Sequence, residues 1–272
     1  MFCFERGDIL GSFDFYTTMV SEREIAELEL LASRCWPAKE IVKYKGWIIH
    51  MDDGITWRAN SVLPDAWETN VSVDQVVDYI IEMYNERNAA PAFKISPASQ
   101  PDGLDELLEE KGFEKRMITQ VQTATIEEVS CHSPKHPVDL FKVTKESLDI
   151  LMYKSERKKK ANDVRREIIH RIDGAKNIAR VMIHGNIAGV GLGVVVNKWL
   201  GFFSIRTLSD YRRRGVAWSV SCALAMWGED QGAENAFLQV EADNDSALGL
   251  YESMGFKKMY TYWYRILGEF KR

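Results

Sequence analysis

The second half of the chain alternates between two kinds of hydrophobic pattern. Between positions 214 and 231, apolar residues such as Val216, Val220 and Leu224 recur every three or four places, which predicts a helix ending at Gly232. Runs rich in β-branched and aromatic residues predict strands on either side of it. In order, the pattern predicts strands at 138–144, 177–184, 187–197, 199–208, 236–241 and 257–267, one or two helices over 145–172, helices at 214–231 and 247–254, and a turn at 185–186. Strands that alternate with helices indicate an α/β or α+β fold, a mixed sheet with helices on both faces.

The first half contains a fainter copy of this order. Residues 54–64 resemble residues 201–211 and are expected to form a strand followed by a turn, and Ala92-Phe-Lys-Ile-Ser96 matches Ala236-Phe-Leu-Gln-Val240. A predicted helix in each half ends in Gly-Phe, and the two glycines, Gly112 and Gly255, are 143 positions apart. Three ordered matches favour a duplication. We therefore predict two mixed-sheet domains, 1–126 and 138–272, joined by the polar linker 127–137.

Composition limits the classes of function. The chain has 272 residues, 46% of them hydrophobic and 28% charged, with a net charge of −5, which is typical of a globular protein and not of a nucleic-acid binder. Four scattered cysteines without a Cys-x-x-Cys pair (Cys3, Cys35, Cys131 and Cys222) indicate free thiols in a reducing compartment. No signal peptide and no segment of membrane-spanning length is evident, so we expect a cytoplasmic protein with no membrane partner. The spacing of Cys131, His132 and His136 faintly resembles that of metal ligands. The sequence contains no second cluster of ligands to complete a site, so no metal is expected.

A short basic loop lies between the strand at 199–208 and the helix after it. The first N–H groups of a helix have no acceptor within the helix and carry partial positive charge, so they bind anions. Gly215 and Ala217 leave room for an anion to approach the backbone, and three preceding arginines add fork-shaped donors. A solvated charge run is the plainer interpretation, but three cations at a helix N-terminus are disfavoured unless an anion offsets them. The basic loop consists of Arg212, Arg213, Arg214, Gly215, Val216 and Ala217.

Two motifs in this part of the chain resemble the GNAT superfamily of acetyl-CoA-dependent N-acetyltransferases. The pyrophosphate loop of that superfamily reads Gln/Arg-x-x-Gly-x-Gly/Ala, and the basic loop fits it. Downstream the superfamily shows an asparagine, a short helix carrying a tyrosine, and Gly-Phe, which Asn244, Tyr251 and Gly255-Phe256 match. The resemblance covers residues 138–267. It implies an N-acetyltransferase with acetyl-CoA as co-substrate and an amine as the acceptor. Since no long acidic or open docking segment is evident, we expect a small-molecule amine as this second substrate.

The resemblance also implies roles for individual residues. The backbone of Ile205 and Thr207 would pair with the pantetheine arm in a splay between the fourth and fifth strands of this half, and the basic loop would hold the pyrophosphate. Asn244 would contact the pantetheine or order the splay, and a simple helix cap explains it equally well. Tyr251 would protonate the leaving thiolate, since a phenol with a reference pKa of ~10 is a competent donor beside a thiol near ~8.5. Packing of an amphipathic helix is the alternative for this tyrosine.

The general base is less evident. Many relatives carry a glutamate on the strand equivalent to 199–208, which here has no acidic residue. Glu241, at the end of the next strand, is the nearest acidic candidate, and a surface position explains it as well. An α-amino group, with a reference pKa of ~7.7–8.0 against ~10.4 for lysine, can react without a base, which favours a small molecule or an α-amino group as acceptor. Arg206 is open to two interpretations, a contact for a substrate carboxylate or a structural ion pair.

The first half departs from these motifs. It has no Gly-x-Gly/Ala loop, and the 143-residue offset places Leu108 at the position of Tyr251 and Pro101 at that of Asn244. We therefore expect one acetyl-CoA site per chain, with the first half shaping the acceptor pocket and a homodimer as an allowed assembly. Two other functions remain open on the sequence: a non-catalytic acyl-CoA-binding or regulatory module, and a nucleic-acid binder that uses the basic loop and residues 157–166.

Overall fold

The computed structural model describes residues 20–67, 70–155 and 159–268. Cys3, Arg157 and Lys158 therefore lie outside the described residues. The helices are α1 Glu22–Cys35, α2 Val73–Glu86, α3 Leu104–Glu110, α4 Ile126–Ser130, α5 Lys145–Leu151, α6 Lys159–Arg171, α7 Val216–Asp230 and α8 Asp245–Glu252. The strands are β1 Glu40–Tyr44, β2 Trp47–Met51, β3 Val62–Leu63, β4 Ala92–Ile95, β5 Glu114–Thr125, β6 Val138–Lys142, β7 Ala175–Ile183, β8 Asn186–Val196, β9 Trp199–Thr207, β10 Asn235–Glu241 and β11 Lys257–Ile266.

Within these ranges, eleven strands form one sheet in the order β1-β2-β3-β4-β11-β5-β10-β9-β8-β7-β6. Strands β5 and β11 lie side by side near its centre and run antiparallel. Strand β11, the last of the second half, also pairs with β4 of the first half, while β5 pairs with β10 of the second half. Each half therefore contributes its last strand to the other half's part of the sheet.

The two halves repeat the same elements at the offset seen in the sequence. Helices α2 and α7 begin at Val73 and Val216, and strands β5 and β11 begin at Glu114 and Lys257, each pair being 143 positions apart. Helices α1, α5 and α6 cover one face of the sheet, which we call the α1 face. On the opposite face, the α7 face, α2 and α3 pack on the first half and α4, α7 and α8 on the second. The predicted mixed sheet with helices on both faces is confirmed.

Three local predictions were wrong. Residues 54–64 do not form a strand and a turn: they contain one turn of 3₁₀ helix, Trp57–Ala59, and the two-residue β3. The match of Ala92 to Ala236 is one residue out of register, because it is Phe93 that faces the α7 side as Ala236 does. The turn between β7 and β8 is at His184 and Gly185, whose φ angles are +50° and +77°, as a two-residue hairpin turn of type I′ requires.

The predicted linker 127–137 is partly structured. Helix α4 begins at a capping box in which the Thr125 hydroxyl and the Glu128 carboxylate satisfy each other's backbone N–H groups. Val129 is fully buried against the second half. The division into domains at 126 and 138 stays a prediction, since the exchange of β5 and β11 makes the two halves share one sheet.

No helix among the described residues is long and apolar enough to cross a membrane. In the same ranges, no group of three or more His, Cys, Asp or Glu side chains is arranged to hold a metal ion.

Candidate active site

A wedge opens between β9 and β10. The two strands run parallel and pair at only three positions, the last of which joins Gly201 to Phe237. Strand β9 nevertheless continues to Thr207 and β10 to Glu241. The edge of β9 that faces the wedge beyond Gly201 therefore has no strand partner there, and an extended group with amide functions can pair with it as an added strand does. Ile205 lies on this segment, as the sequence predicted.

A β-bulge interrupts β9 beside the wedge. The register against β8 shifts between Val190 and Leu192, and Ser204 on β9 has a φ of +52°. An extra residue in one strand bends that strand and increases its twist. The bulge therefore lies where β9 diverges from β10.

Alternate glycines on β8 bring α7 close to the sheet. A Cβ atom at Gly189 would stand 2.4 Å from Cγ1 of Val216, and one at Gly191 would stand 2.6 Å from Cγ1 of Val220. Gly193 continues the stripe against α7. This contact sets the distance between the sheet and the first turns of α7. Sequence reasoning missed it. The signal was present in Gly189-Val-Gly-Leu-Gly193, since residues at every second position of a strand share a face.

The basic loop contains two residues in the left-handed region of backbone conformation. Gly215 caps α7 with a φ of +77°, and Arg213 has a φ of +61°. All three arginine side chains are exposed, whereas Val216 is buried beneath the loop. The first N–H groups of α7 therefore open beside the end of β9, next to three solvated guanidinium groups.

The predicted linker also reaches this loop. The amides of Lys135 and His136 donate to Oγ of the buried Ser219 at 2.9 and 3.0 Å, and Nε2 of His136 lies 2.7 Å from the carbonyl oxygen of Arg214. A Cβ atom at Gly215 would stand 2.7 Å from Cδ of Lys135. Lys135 therefore places a fourth cationic side chain at the start of α7. Only the folded chain places Lys135 here, because 80 residues separate it from Gly215 and no local pattern connects them.

Tyr251 lies on the α7 face, in the same apolar cluster as Leu238 and Val240 of the splayed part of β10. It is 7% exposed, and its ring meets the edge of Phe256 with centroids 5.8 Å apart. Burial raises the pKa of the phenol above its ordinary value, so the hydroxyl keeps its proton. A protonated phenol beside the wedge is what proton donation to a thiolate requires.

Three candidate residues remain: Asn244, Glu241 and Arg206. Asn244 caps α8 by accepting from the amide of Ala247 at 3.2 Å. Glu241 is exposed at the end of β10. The guanidinium of Arg206 donates to the main-chain carbonyls of Lys154 and Leu151 at 2.9 and 3.1 Å, beyond the end of α5. Arg206 thus connects β9 to the end of α5 and the residues after it through carbonyl oxygens.

The first half lacks the matching chemistry at the equivalent place. Leu108 is fully buried, and the residue that caps α2, where Gly215 caps α7, is Ser72.

Comparisons with known proteins agree with this geometry. A family profile described as "Probable histone acetyltransferase Rv0428c C-terminal" matches residues 22–265. The chain is 26% identical over 252 residues to the "Uncharacterized N-acetyltransferase YobR" of Bacillus subtilis (strain 168), which covers 89% of this chain and 98% of that protein. Among solved structures, a GCN5-related N-acetyltransferase from Kribbella flavida is similar with a TM-score of 0.66 at 14% identity, over 93% of this chain and 97% of the other. A tandem GNAT protein from the clavulanic acid biosynthesis pathway is similar with a TM-score of 0.57 at 12% identity, over 89% and 88%. The two solved structures share the fold.

Proposed function

Because the chain belongs to the family described as probable histone acetyltransferase Rv0428c C-terminal and is a GNAT-type N-acetyltransferase, we propose that it transfers the acetyl group of acetyl-CoA to a primary amine of a small molecule or to an α-amino group. The observation that carries the proposal is the wedge: pairing of β9 with β10 stops at Gly201, and α7 begins at Gly215 beside the far end of β9.

The residues present fit coenzyme A. The free edge of β9 at Ile205 and Thr207 offers backbone groups to the amides of the pantetheine arm. The N–H groups at the start of α7 suit the pyrophosphate, and the absence of a Cβ at Gly215 leaves room for the Lys135 side chain beside them. The basic loop and Lys135 supply positive charge around that position.

The chemistry then needs one proton donor. The neutral amine attacks the thioester carbonyl carbon, the carbon–sulfur bond breaks, and the thiolate takes the proton of Tyr251. The amine loses its own proton to solvent or to a base, and the phenolate of Tyr251 regains a proton from solvent before the next turnover. Glu241 is the acidic candidate at the end of β10, and its exposure suits a role at the mouth of the wedge. An α-amino acceptor with a reference pKa of ~7.7–8.0 would already be partly neutral at pH 7.

Release of coenzyme A, measured by a thiol reagent with a panel of amines, tests the proposal. The panel contains amino acids, amino-acid amides, simple primary amines and a lysine-containing histone peptide, the last because of the family description. We expect turnover with an α-amino or small-molecule amine. Binding of acetyl-CoA without turnover of any amine would instead support the non-catalytic acyl-CoA-binding module. Turnover of the peptide lysine alone would contradict the acceptor class.

A further inference from the structure

A small polar cavity lies on the α1 face where the two halves meet. Its volume is about 20 Å³, enough for one water-sized group. Its walls come mostly from the first half, and one strand of the second half completes them. Its polar lining residues are Glu29, Ser33, His50, Arg58, Ser61, Lys94 and Gln239. We call it the inter-half cavity.

The charges in this cavity do not balance. Glu29, which is 2% exposed, is paired with the ammonium of Lys94 and also accepts from the hydroxyl of Tyr260 at 2.7 Å. These two contacts satisfy both members of the ion pair. Arg58 is half-buried, and no described carboxylate forms an ion pair with it. The inter-half cavity therefore carries one uncompensated positive charge, that of Arg58.

The same place is rich in hydrogen-bond donors. Oε1 of Gln239 accepts from Nε of Arg58 at 2.6 Å and from the hydroxyl of Tyr262 at 3.3 Å. This orientation leaves Nε2 of Gln239 and both Nη atoms of Arg58 as donors that make no hydrogen bond to another described residue. Two adjacent nitrogen groups and one net positive charge are the arrangement that binds a carboxylate.

The deeper wall of the cavity sets the position of such a group. Nδ1 of His50 lies 3.2 Å from the carbonyl oxygen of Ser61 and must donate to it, so Nε2 is an acceptor. That Nε2 atom is buried and has no partner. An anion would be repelled there and a water would be bound. A carboxylate therefore fits at the mouth, against Arg58 and Gln239, with water behind it.

Gln239 connects this donor pair to the wedge. It lies two residues beyond Phe237, the last residue of β10 that pairs with β9. Successive side chains of a strand point to opposite faces, so Gln239 shares the α1 face with Phe237, while Leu238 lies in the cluster of Tyr251 on the α7 face. Tyr251 occupies the α7 side of the wedge, so an amine that approaches from the α1 side meets Gln239.

We propose that Arg58 and Gln239 bind a carboxylate of the acceptor, which makes the acceptor an amine that carries a carboxylate, such as an amino acid. The inference rests on the proposed function and narrows its acceptor class. It also assigns a task to the first half, which supplies Arg58 to a site whose acetyl-CoA elements all lie in the second half.

The test compares an amino acid with its own carboxamide as acceptor, by coenzyme A release, in the wild type, Arg58→Gln and Gln239→Glu. Each substrate is compared with itself across variants, so the different pKa values of the two amines cancel. Loss of a charged hydrogen-bonded contact predicts that kcat/KM for the amino acid falls about 10- to 100-fold in Arg58→Gln, mostly through KM. The carboxamide should change by less than about threefold. Gln239→Glu should act in the same way, because its carboxylate competes for Arg58 while the contact between the two side chains is kept.

Arg23→Gln is the matched control, since it removes an equal charge from an exposed position on α1. Equal losses for both acceptors, or no loss for either, would each overturn the carboxylate site. Thermal melts identify a variant that is misfolded. If Arg58→Gln is misfolded, the comparison of the two acceptors in Gln239→Glu tests the carboxylate site. If the wild type acetylates no amine, the proposed function fails by itself. Turnover in which Arg58→Gln and Gln239→Glu change both acceptors alike contradicts only the carboxylate site.

Discussion

Leu108 occupies in the first half the place that Tyr251 occupies in the second. The amide of Phe113 donates to the carbonyl oxygen of Leu108 at 2.9 Å, and that of Phe256 donates to the carbonyl oxygen of Tyr251 at 3.0 Å. The two helices therefore end in the same hydrogen-bonded turn, and both side chains are buried. Of these two equivalent positions, only Tyr251 carries a group that can donate a proton.

Replacing Tyr251 by phenylalanine removes this proton donor and leaves the ring. We expect kcat to fall about 10²- to 10⁴-fold, the range for loss of a general acid, with the KM for acetyl-CoA nearly unchanged. Because burial raises the pKa of Tyr251, the phenol stays protonated while the amine is deprotonated. The wild-type rate should thus rise with pH as the amine becomes neutral, without an alkaline decline below about pH 10.

Tyr79→Phe is the matched control, because it removes the hydroxyl of an exposed tyrosine on α2. Its kinetic constants should equal those of the wild type. A Tyr251→Phe enzyme that keeps full kcat would show that the thiolate leaves without this acid.

Gly215→Ala tests the first turn of α7. An alanine at a φ of +77° is strained by about 1–2 kcal/mol, and its Cβ would stand 2.7 Å from Cδ of Lys135. We expect the KM for acetyl-CoA to rise about tenfold, because the loop backbone and Lys135 must both shift. Gly232→Ala has a similar φ of +80° at the other end of α7, with no atom within 4 Å of the added Cβ. If Gly232→Ala raises this KM equally, the effect reports strain in α7 and not a pyrophosphate site.

Two glycines in different surroundings, Gly191 on β8 and Gly249 in α8, predict opposite signs for the same substitution. A Cβ at Gly191 would stand 2.4 Å from Cδ1 of Ile205 and 2.6 Å from Cγ1 of Val220, so Gly191→Ala should lower the free energy of unfolding by about 1–3 kcal/mol. Gly249→Ala, inside α8 with no atom within 4 Å of the added Cβ, should raise it by up to about 1 kcal/mol. Urea titrations measure both. A neutral Gly191→Ala would mean that α7 does not depend on this close approach.

Sequence patterns predicted the second half well because its signals are local. The helix from Val216, the cap at Asn244 and the hairpin between β7 and β8 each depend on residues within a few positions of one another. Their bounds agree with the prediction to within about two residues, apart from the turn at His184.

The relation between the halves was not predictable in the same way. No local pattern predicts that β11 pairs with β4 of the other half, because the pairing of exchanged strands depends on packing over the whole sheet. The contact between Arg58 and Gln239 crosses 181 positions for the same reason. Arg58 also lies in a stretch for which the sequence wrongly predicted a strand and a turn.

The strand exchange predicts that the domains do not fold separately when the chain is cut at 137. A fragment 138–272 keeps β11 but lacks β4 and β5, so β11 loses both of its partners in the sheet and β10 keeps only the three-position pairing with β9. We expect it to be insoluble or to melt without cooperativity, and co-expression with residues 1–137 to restore a soluble complex. Circular dichroism melts and size-exclusion chromatography measure this outcome. A cooperative melt of the fragment alone would support the domain boundary as the sequence placed it.

The buried imidazole of His50 predicts a dependence of stability on pH. It is 3% exposed, and burial lowers its pKa to about 4 from an ordinary value near 6.5. Between these values the unfolded chain binds the proton and the folded chain does not, so stability is fully present above the higher value and falls as the pH drops toward the lower one. This group should lower the free energy of unfolding by about 2 kcal/mol between pH 7 and pH 5.

His50→Asn separates this contribution from the acid sensitivity of other groups. Its side-chain amide can still donate to the carbonyl oxygen of Ser61 but does not titrate. Urea unfolding of both proteins at pH 7 and pH 5 should therefore show a smaller loss in the variant, by about 2 kcal/mol. If the two proteins lose equal stability, His50 is protonated in the folded state near its ordinary pKa. The inter-half cavity would then admit enough water to solvate a charged imidazole, and its deep wall would no longer exclude an anion.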